Sequence, residues 1–226
     1  MFPFVFLLAI LVFAGAAYMG YLAKKKRRQA FATMAQQLGL SYSAEDPFGL
    51  VSQPFALFSK GDGQGVENVM WGTWQAIDLK AFDFWYYERT SDGRGGSTKT
   101  YYRFDCAIVP IQAACMRLTI THENVLTRLG NALSFHDIQF ESEDFNKAYN
   151  VRSADKKFAN DLIDARMMQW LMAGGAGFSF EIIGGDVLCY TNKIAPLAIV
   201  PLLGTAKAFL EHVPEVVHSL YPLNPG

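Results

Sequence analysis

Hydrophobic and polar positions follow three different rhythms along this chain, and each predicts a different kind of element. Residues 2–23, FPFVFLLAILVFAGAAYMGYLA, hold no charged side chain. As a helix rising about 1.5 Å per residue they extend about 33 Å, enough for a hydrocarbon core of roughly 30 Å. Tyr18 and Tyr21 stand near the end of the run, where amphipathic rings favour an interface. A cleaved leader is the rival reading, with Ala14-Gly15-Ala16 as its small-residue site. The charges follow the apolar run as KKKRR, the order of an anchor and the reverse of a leader.

The second rhythm is helical. Phe31, Met34, Ala35 and Leu38 fall at i, i+3, i+4 and i+7, one face of a helix that Gly39 can close. The membrane helix therefore continues past the basic run before the chain turns. This divides the chain into a transmembrane helix over 1–23, a basic juxtamembrane segment with an amphipathic helix over 24–39, and a domain over 40–226. With Lys24, Lys25, Lys26, Arg27 and Arg28 kept inside, the expected topology is a single pass through the cell (inner) membrane, N-terminus out and C-terminal domain cytoplasmic. Those five cations fix topology; anionic lipid headgroups are a further partner they suit.

The third rhythm is period two. From 54 to 121 the chain reads as an antiparallel meander. FALFSK is a short strand, GDGQG a turn, and VENVMWGTWQAIDLKAFDFWYYER two strands broken near 72–76. TSDGRGGST is a loop, KTYYRFDCAIVPI the returning strand and CMRLTIT another. Phe82, Phe84 and Tyr86 take one face against Asp83, Trp85 and Tyr87, as a sheet with one solvated face requires. HENVLTRLGNAL predicts a helix and DIQF a strand; Asp155 and Asp164 are placed to cap helices. FSFEII-GG-DVLCYT predicts a two-residue hairpin turning at Gly184-Gly185, and the tail carries a helical stripe of Leu202, Ala206, Phe209, Leu210 and Val213. The fold class is α+β: a mostly antiparallel sheet with packed helices behind a membrane helix. A pleckstrin-homology-like barrel with a C-terminal helix is the alternative.

Charge changes the picture once. The chain's net charge is −1, so without the five clustered cations the remainder carries −6. A mildly acidic domain with one basic knot is not built for nucleic acid, whose phosphates need cations spread along a contact face. Cys106, Cys115 and Cys189 are odd in number, far apart and without a CxxC, so they read as buried free thiols.

The stretch FESEDFNKAYNVRSAD over 140–155 crowds Glu141, Glu143 and Asp144 together. A carboxylate metal site needs oxygens converging on a rigid frame, and no HExxH or EF-hand pattern is present. Ile138 and Phe140 before the acids, and Tyr149 and Val151 after them, alternate as core positions, so the acids read as a turn between two strands. Gly61, Gly63 and Gly65 and the glycines of 93–96 lack the context of a phosphate or dinucleotide loop and also read as turns. No metal or cofactor site is expected.

The candidate partner surface is the polar face of the aromatic strands: Asp83, Trp85, Tyr87, Tyr101 and Arg103. Tyr, Trp and Arg are over-represented in binding hot spots. Covering of this face by the C-terminal helices is the opposing reading. Two functional classes stay open: a membrane-anchored binding or scaffold module facing another membrane or cytoplasmic protein, and a membrane-tethered enzyme using Asp83, Asp105 or Glu141. A lipid-responsive module of pleckstrin-homology outline is a third.

FESEDFNKAYNVRSADKKFANDLIDARMMQWL resembles a stretch of a bacterial family of uncharacterised proteins, many with one N-terminal membrane helix. Its pattern there is F-E-S-x-x-F-N-x-x-[FY]-x-V followed by a helix with R-M-M. NVMWGTW…AFDFWYYE and CMRLTIT resemble the same proteins, so the likeness covers roughly residues 40–190. It implies membership and the same anchored architecture, and no activity.

Overall fold

The computed structural model describes residues 2–91, 96–123, 136–195 and 199–223, with the side chains of 2–10, 13 and 136 excepted. The predicted helix over 122–133 lies almost wholly outside these residues, as does part of the 90–98 loop.

Helix α1, Phe2–Leu38, runs unbroken through the apolar segment, the basic run and the amphipathic stripe. Its 37 residues extend about 55 Å at about 1.5 Å each. Gly39 ends it at φ 71°, and the Leu40 amide reaches back to the Ala35 carbonyl at 2.8 Å, which closes the last turn. Phe31, Met34 and Ala35 are buried as the stripe predicts. Leu11, Val12, Tyr18, Met19 and Tyr21 stay exposed. Among the residues with described side chains, which in α1 begin at Leu11, no helix is long and apolar enough to cross a membrane.

Among the described residues the domain is one seven-stranded, wholly antiparallel sheet. Its strands are β1 (Ser41–Ser43), β2 (Gly63–Trp74), β3 (Ile77–Ser91), β4 (Ser97–His122), β5 (His136–Ile138), β6 (Tyr149–Ser153) and β7 (Ser179–Asn192). β4 is the spine. Its first half pairs with β3 and its second with β6, while β7 runs along its other edge. β7 pairs with β4 alone among the described strands, so the sheet is open and the barrel alternative does not hold. Between β2 and β3 the chain turns on Gln75 and Ala76, both at positive φ, inside the predicted break.

Side-chain alternation gives the sheet two buried faces. One carries α1 and helices α2 (Glu143–Ala148), α3 (Lys156–Leu162), α4 (Ala165–Ala173), α5 (Ile199–His212) and α6 (Glu215–Leu220) over Ala81, Ala107, Val109, Ile120, Phe180 and Ile182. Asp155 and Asp164 cap α3 and α4 as expected, accepting from the Phe158 and Met167 amides at 2.9 and 2.7 Å. Phe209 of α5 stacks on Phe180 with ring centres 4.6 Å apart. The other face is closed by the segment 50–59, where Phe58 packs on Phe82 and Phe84 beside Tyr86, Phe104 and Tyr190.

Several local expectations are corrected. FALFSK is a 3-10 turn over Leu57–Ser59, because Glu181 of β7 accepts the Ala56 and Leu57 amides at 2.6 and 2.9 Å and caps it. Gly63 and Gly65 are strand residues of β2. The two strands read in 99–121 are one strand of 26 residues, interrupted by irregular pairing between Pro110 and Leu118. The Gly184-Gly185 hairpin does not form. β7 passes through both glycines along β4, with Gly184 at φ 58° opposite Cys115 where that pairing shifts, so the positive φ makes a bulge and no reversal.

Candidate functional site

The acidic stretch resolves first. Glu143 and Asp144 stand in a helix, with Glu141 in the bend before it: Ser142 caps α2 by accepting the Phe145 amide at 3.3 Å. Glu143 and Asp144 occupy its first turn, where carboxylates suit the helix dipole, and each lies 3.8 Å from Lys147. Asn146 bonds both the amide and the carbonyl of Phe140. Among the described residues no three of His, Cys, Asp and Glu gather as a metal would require.

The charged centre of the molecule lies elsewhere, where α1 meets the sheet. Asp83 on β3 and Asp105 on β4 are direct cross-strand partners, an arrangement that repels unless something intervenes. Arg27 intervenes. Its Nε donates to Asp83 Oδ2 at 2.7 Å, and its Nη2 donates to Asp83 Oδ1 at 2.6 Å and to Asp105 Oδ1 at 2.5 Å. Nη1 donates to the Ile194 carbonyl at 2.8 Å, and Asp105 Oδ2 takes the Ile194 amide at 2.8 Å. Asn68 adds a bond to Asp83 Oδ2 at 2.8 Å from a β2 bulge at φ 58°, and Tyr42 of β1 donates to Asn68 at 3.0 Å. Arg27 also lies over the Phe31 ring, 4.9 Å from its centre.

All three charges are buried, with Arg27 only 8% exposed, Asp83 4% and Asp105 0%. Burial opposes the guanidinium's charge, but the two carboxylates outweigh it and hold Arg27 above its ordinary value. Burial, then the Asp83 charge, pushes Asp105 up to about 7 against the pull of Arg27. Every carboxylate oxygen in the pair is already bonded. The arrangement therefore holds α1, four strands and the segment after β7 together and leaves no oxygen turned to a substrate.

Arg27 and Asp83 correct two expectations. Arg27 belongs to the core and not to a solvated basic run, and Asp83 is not part of an exposed face. Lys24 is also partly committed, pairing with Glu67 at 2.6 Å; Lys25 and Lys26 are exposed and Arg28 is half-buried. The sequence did hold a signal for Arg27: it precedes Phe31 by four residues and so lies in phase with the apolar stripe. Asn68, Glu181 and the Ile194 backbone carried no such signal.

The rest of the predicted surface does come together. Trp85 and Tyr87 are half-buried and Tyr101 and Arg103 exposed. The Trp85 and Tyr101 rings lie 5.9 Å apart, Tyr87 and Tyr101 5.5 Å, and Arg103 sits 5.5 Å over Tyr101. Gly65 and Gly63 are the cross-strand partners of Trp85 and Tyr87, and a Cβ on either would fall 2.7 Å from the facing ring. The two rings thus lie flat across β2 because that strand is bare there.

Beside this strip a cavity of about 660 Å³ opens between α1 and the sheet. Gly20, Ala23 and Ala30 leave room on the helix side, while Lys26, Arg103 and Lys193 line it with cations. Burial and the neighbouring Arg27 and Arg103 charges lower Lys193's affinity for its proton, offset in part by Asp83 and Asp105.

An antiparallel α+β domain hung on one long N-terminal helix is the class these features define. Among solved structures the chain is similar to the crystal structure of the mycobacterial trehalose monomycolate transport factor A, TtfA. The TM-score is 0.58 at 12% identity, covering 88% of this chain and 98% of that one. That likeness is one of fold. No family model matches the sequence, and no curated protein does.

Proposed function

We propose that this protein is a membrane-anchored binding or scaffold module, an accessory factor for transport at the bilayer and not itself a catalyst. Residues 2–23 of α1 would span the inner membrane once, N-terminus out, with the domain on the cytoplasmic side. The observation that carries this reading is the path of α1. One continuous helix brings an uncharged run, with Leu11, Val12, Tyr18, Met19 and Tyr21 exposed, into a domain to which Arg27 bolts it. Exposed apolar side chains in such a run have no stable place in water. The shared fold with a protein named as a transport factor supports the same reading. The strip of Trp85, Tyr87, Tyr101 and Arg103, beside the root of α1, is the surface a partner protein would meet.

Alkaline carbonate extraction of cell membranes tests the anchor. The full chain should stay with the pellet, and a reporter active only in the cytoplasm should work when fused after Gly226. Release into the supernatant, or activity from a periplasm-only reporter, would overturn the assignment.

A further inference from the structure

We propose that the cavity between α1 and the sheet is a binding site for a phosphate-bearing anion, held by Lys26, Arg103 and Lys193. Seven charged or amide side chains line this cavity, and the single acid among them, Glu67, is taken by Lys24. Arg27 is taken by Asp83 and Asp105. Lys26, Arg103 and Lys193 form no ion pair among the described residues. They come from three separate parts of the chain, α1, β4 and the segment after β7, so the fold itself gathers them at one opening. The Lys193 amide bonds the Arg103 carbonyl at 2.9 Å, which keeps these two cations side by side despite their repulsion.

Three cations around a concave opening lower one another's stability, and an anion placed among them relieves that cost. Phosphate suits them because guanidinium can donate two parallel bonds and ammonium serves as a point charge. A volume of about 660 Å³ takes a headgroup and not merely an ion. Gly20 and Ala23 also line the opening, at the end of the exposed apolar part of α1, so an acyl chain attached to the phosphate could lie along that helix. Only the lipid source of the phosphate rests on the membrane reading; the anion site does not.

The experiment uses the full chain in a neutral detergent at constant ionic strength. Thermal unfolding is followed while inorganic phosphate, short-chain phosphatidylglycerol or short-chain phosphatidylcholine replaces chloride. A ligand bound only by the folded state raises the Tm. Phosphatidylglycerol, phosphate or both should raise it, and phosphatidylcholine should not match them. Phosphatidylglycerol alone identifies a lipid headgroup, and phosphate alone a free anion. The shift should vanish in the Lys26→Gln, Arg103→Gln, Lys193→Gln triple variant and persist in Lys25→Gln. If the triple variant does not fold, Arg103→Gln and Lys193→Gln singly should each weaken binding by about fivefold, from about 1 kcal/mol per cation. No shift with either anion, an equal shift with phosphatidylcholine, or wild-type behaviour in the cavity variants would overturn the site. A soluble chain in the carbonate extraction would remove the anchor and leave this result standing.

Discussion

Arg27 and Asp83 lie 56 residues apart in the chain and meet through two hydrogen bonds of 2.6 and 2.7 Å, both side chains buried. This pair decides how the first helix relates to everything after it. Residues that read as membrane topology turn out to include the bolt between helix and sheet.

Removing that bolt should be costly. Arg27→Met leaves two buried carboxylates facing each other without a cation, and breaking a buried pair from one side costs about 3–5 kcal/mol. Arg27→Lys keeps the charge but loses the fork, so it should fall between Met and wild type. Combining Arg27→Met with Asp83→Asn and Asp105→Asn should recover much of the loss. Urea unfolding of the full chain in detergent measures all three; a wild-type midpoint for Arg27→Met would refute the role.

Glu181 should make stability depend on pH. Burial pushes its carboxyl to about 7 from an ordinary value near 4.5, although the Ala56 and Leu57 amides pull the other way. The folded state thus holds this proton more tightly than the unfolded chain does. Its contribution is complete below about 4.5 and is lost as pH rises through about 7. At about 1.4 kcal/mol per pH unit between the two values, the loss is at most about 3.5 kcal/mol. Asp105, also near 7, acts in the same direction. Glu181→Gln should flatten the profile, so that its deficit against wild type is largest at pH 5 and shrinks by pH 8. Parallel profiles for the two proteins would show that Glu181 does not titrate in this range.

The two glycines of β7 should behave differently. Gly184 sits at φ 58° with open space around it, so Gly184→Ala is strained by its backbone alone and should cost about 1–2 kcal/mol. Gly185 has ordinary geometry and only loose neighbours, the nearest being Leu223 at 3.6 Å, so Gly185→Ala should be nearly neutral. Equal losses at both positions would point to a turn in place of the bulge.

The acidic stretch gives the mildest prediction. Ser142→Ala should cost about 1 kcal/mol through loss of the cap. Glu143→Gln should change stability by well under 1 kcal/mol, since the residue lies in the open on the first turn of α2. Neither Mg²⁺ nor Ca²⁺ should move the Tm. A metal-dependent rise abolished by Glu141→Gln with Glu143→Gln would restore a metal site there.

Gly65 provides a spectroscopic check. A Cβ there would fall 2.7 Å from the Trp85 ring, so Gly65→Ala should lift the ring and shift tryptophan fluorescence to the red. Trp85→Leu should relieve the stability cost of Gly65→Ala. An unchanged spectrum would place Trp85 elsewhere than flat on β2.

What the sequence by itself determined are the features written in short-range periodicity. The i, i+3, i+4 stripe placed Phe31, Met34 and Ala35 in the core, the period-two alternation separated Phe82, Phe84 and Tyr86 from their neighbours, and Asp155 and Asp164 marked helix starts because a cap acts over three residues. What only the tertiary structure decided depends on partners that no local window contains. Gly184-Gly185 became a bulge because β4 continues alongside it, and FALFSK became a 3-10 turn because Glu181, more than 120 residues away, binds its amides. Arg27 left the basic run for the core because Asp83 and Asp105, forced opposite each other by strand register, needed one cation between them. A buried charge is stable only with its counter-charge in place, and that requirement is met by the fold and not by sequence neighbours.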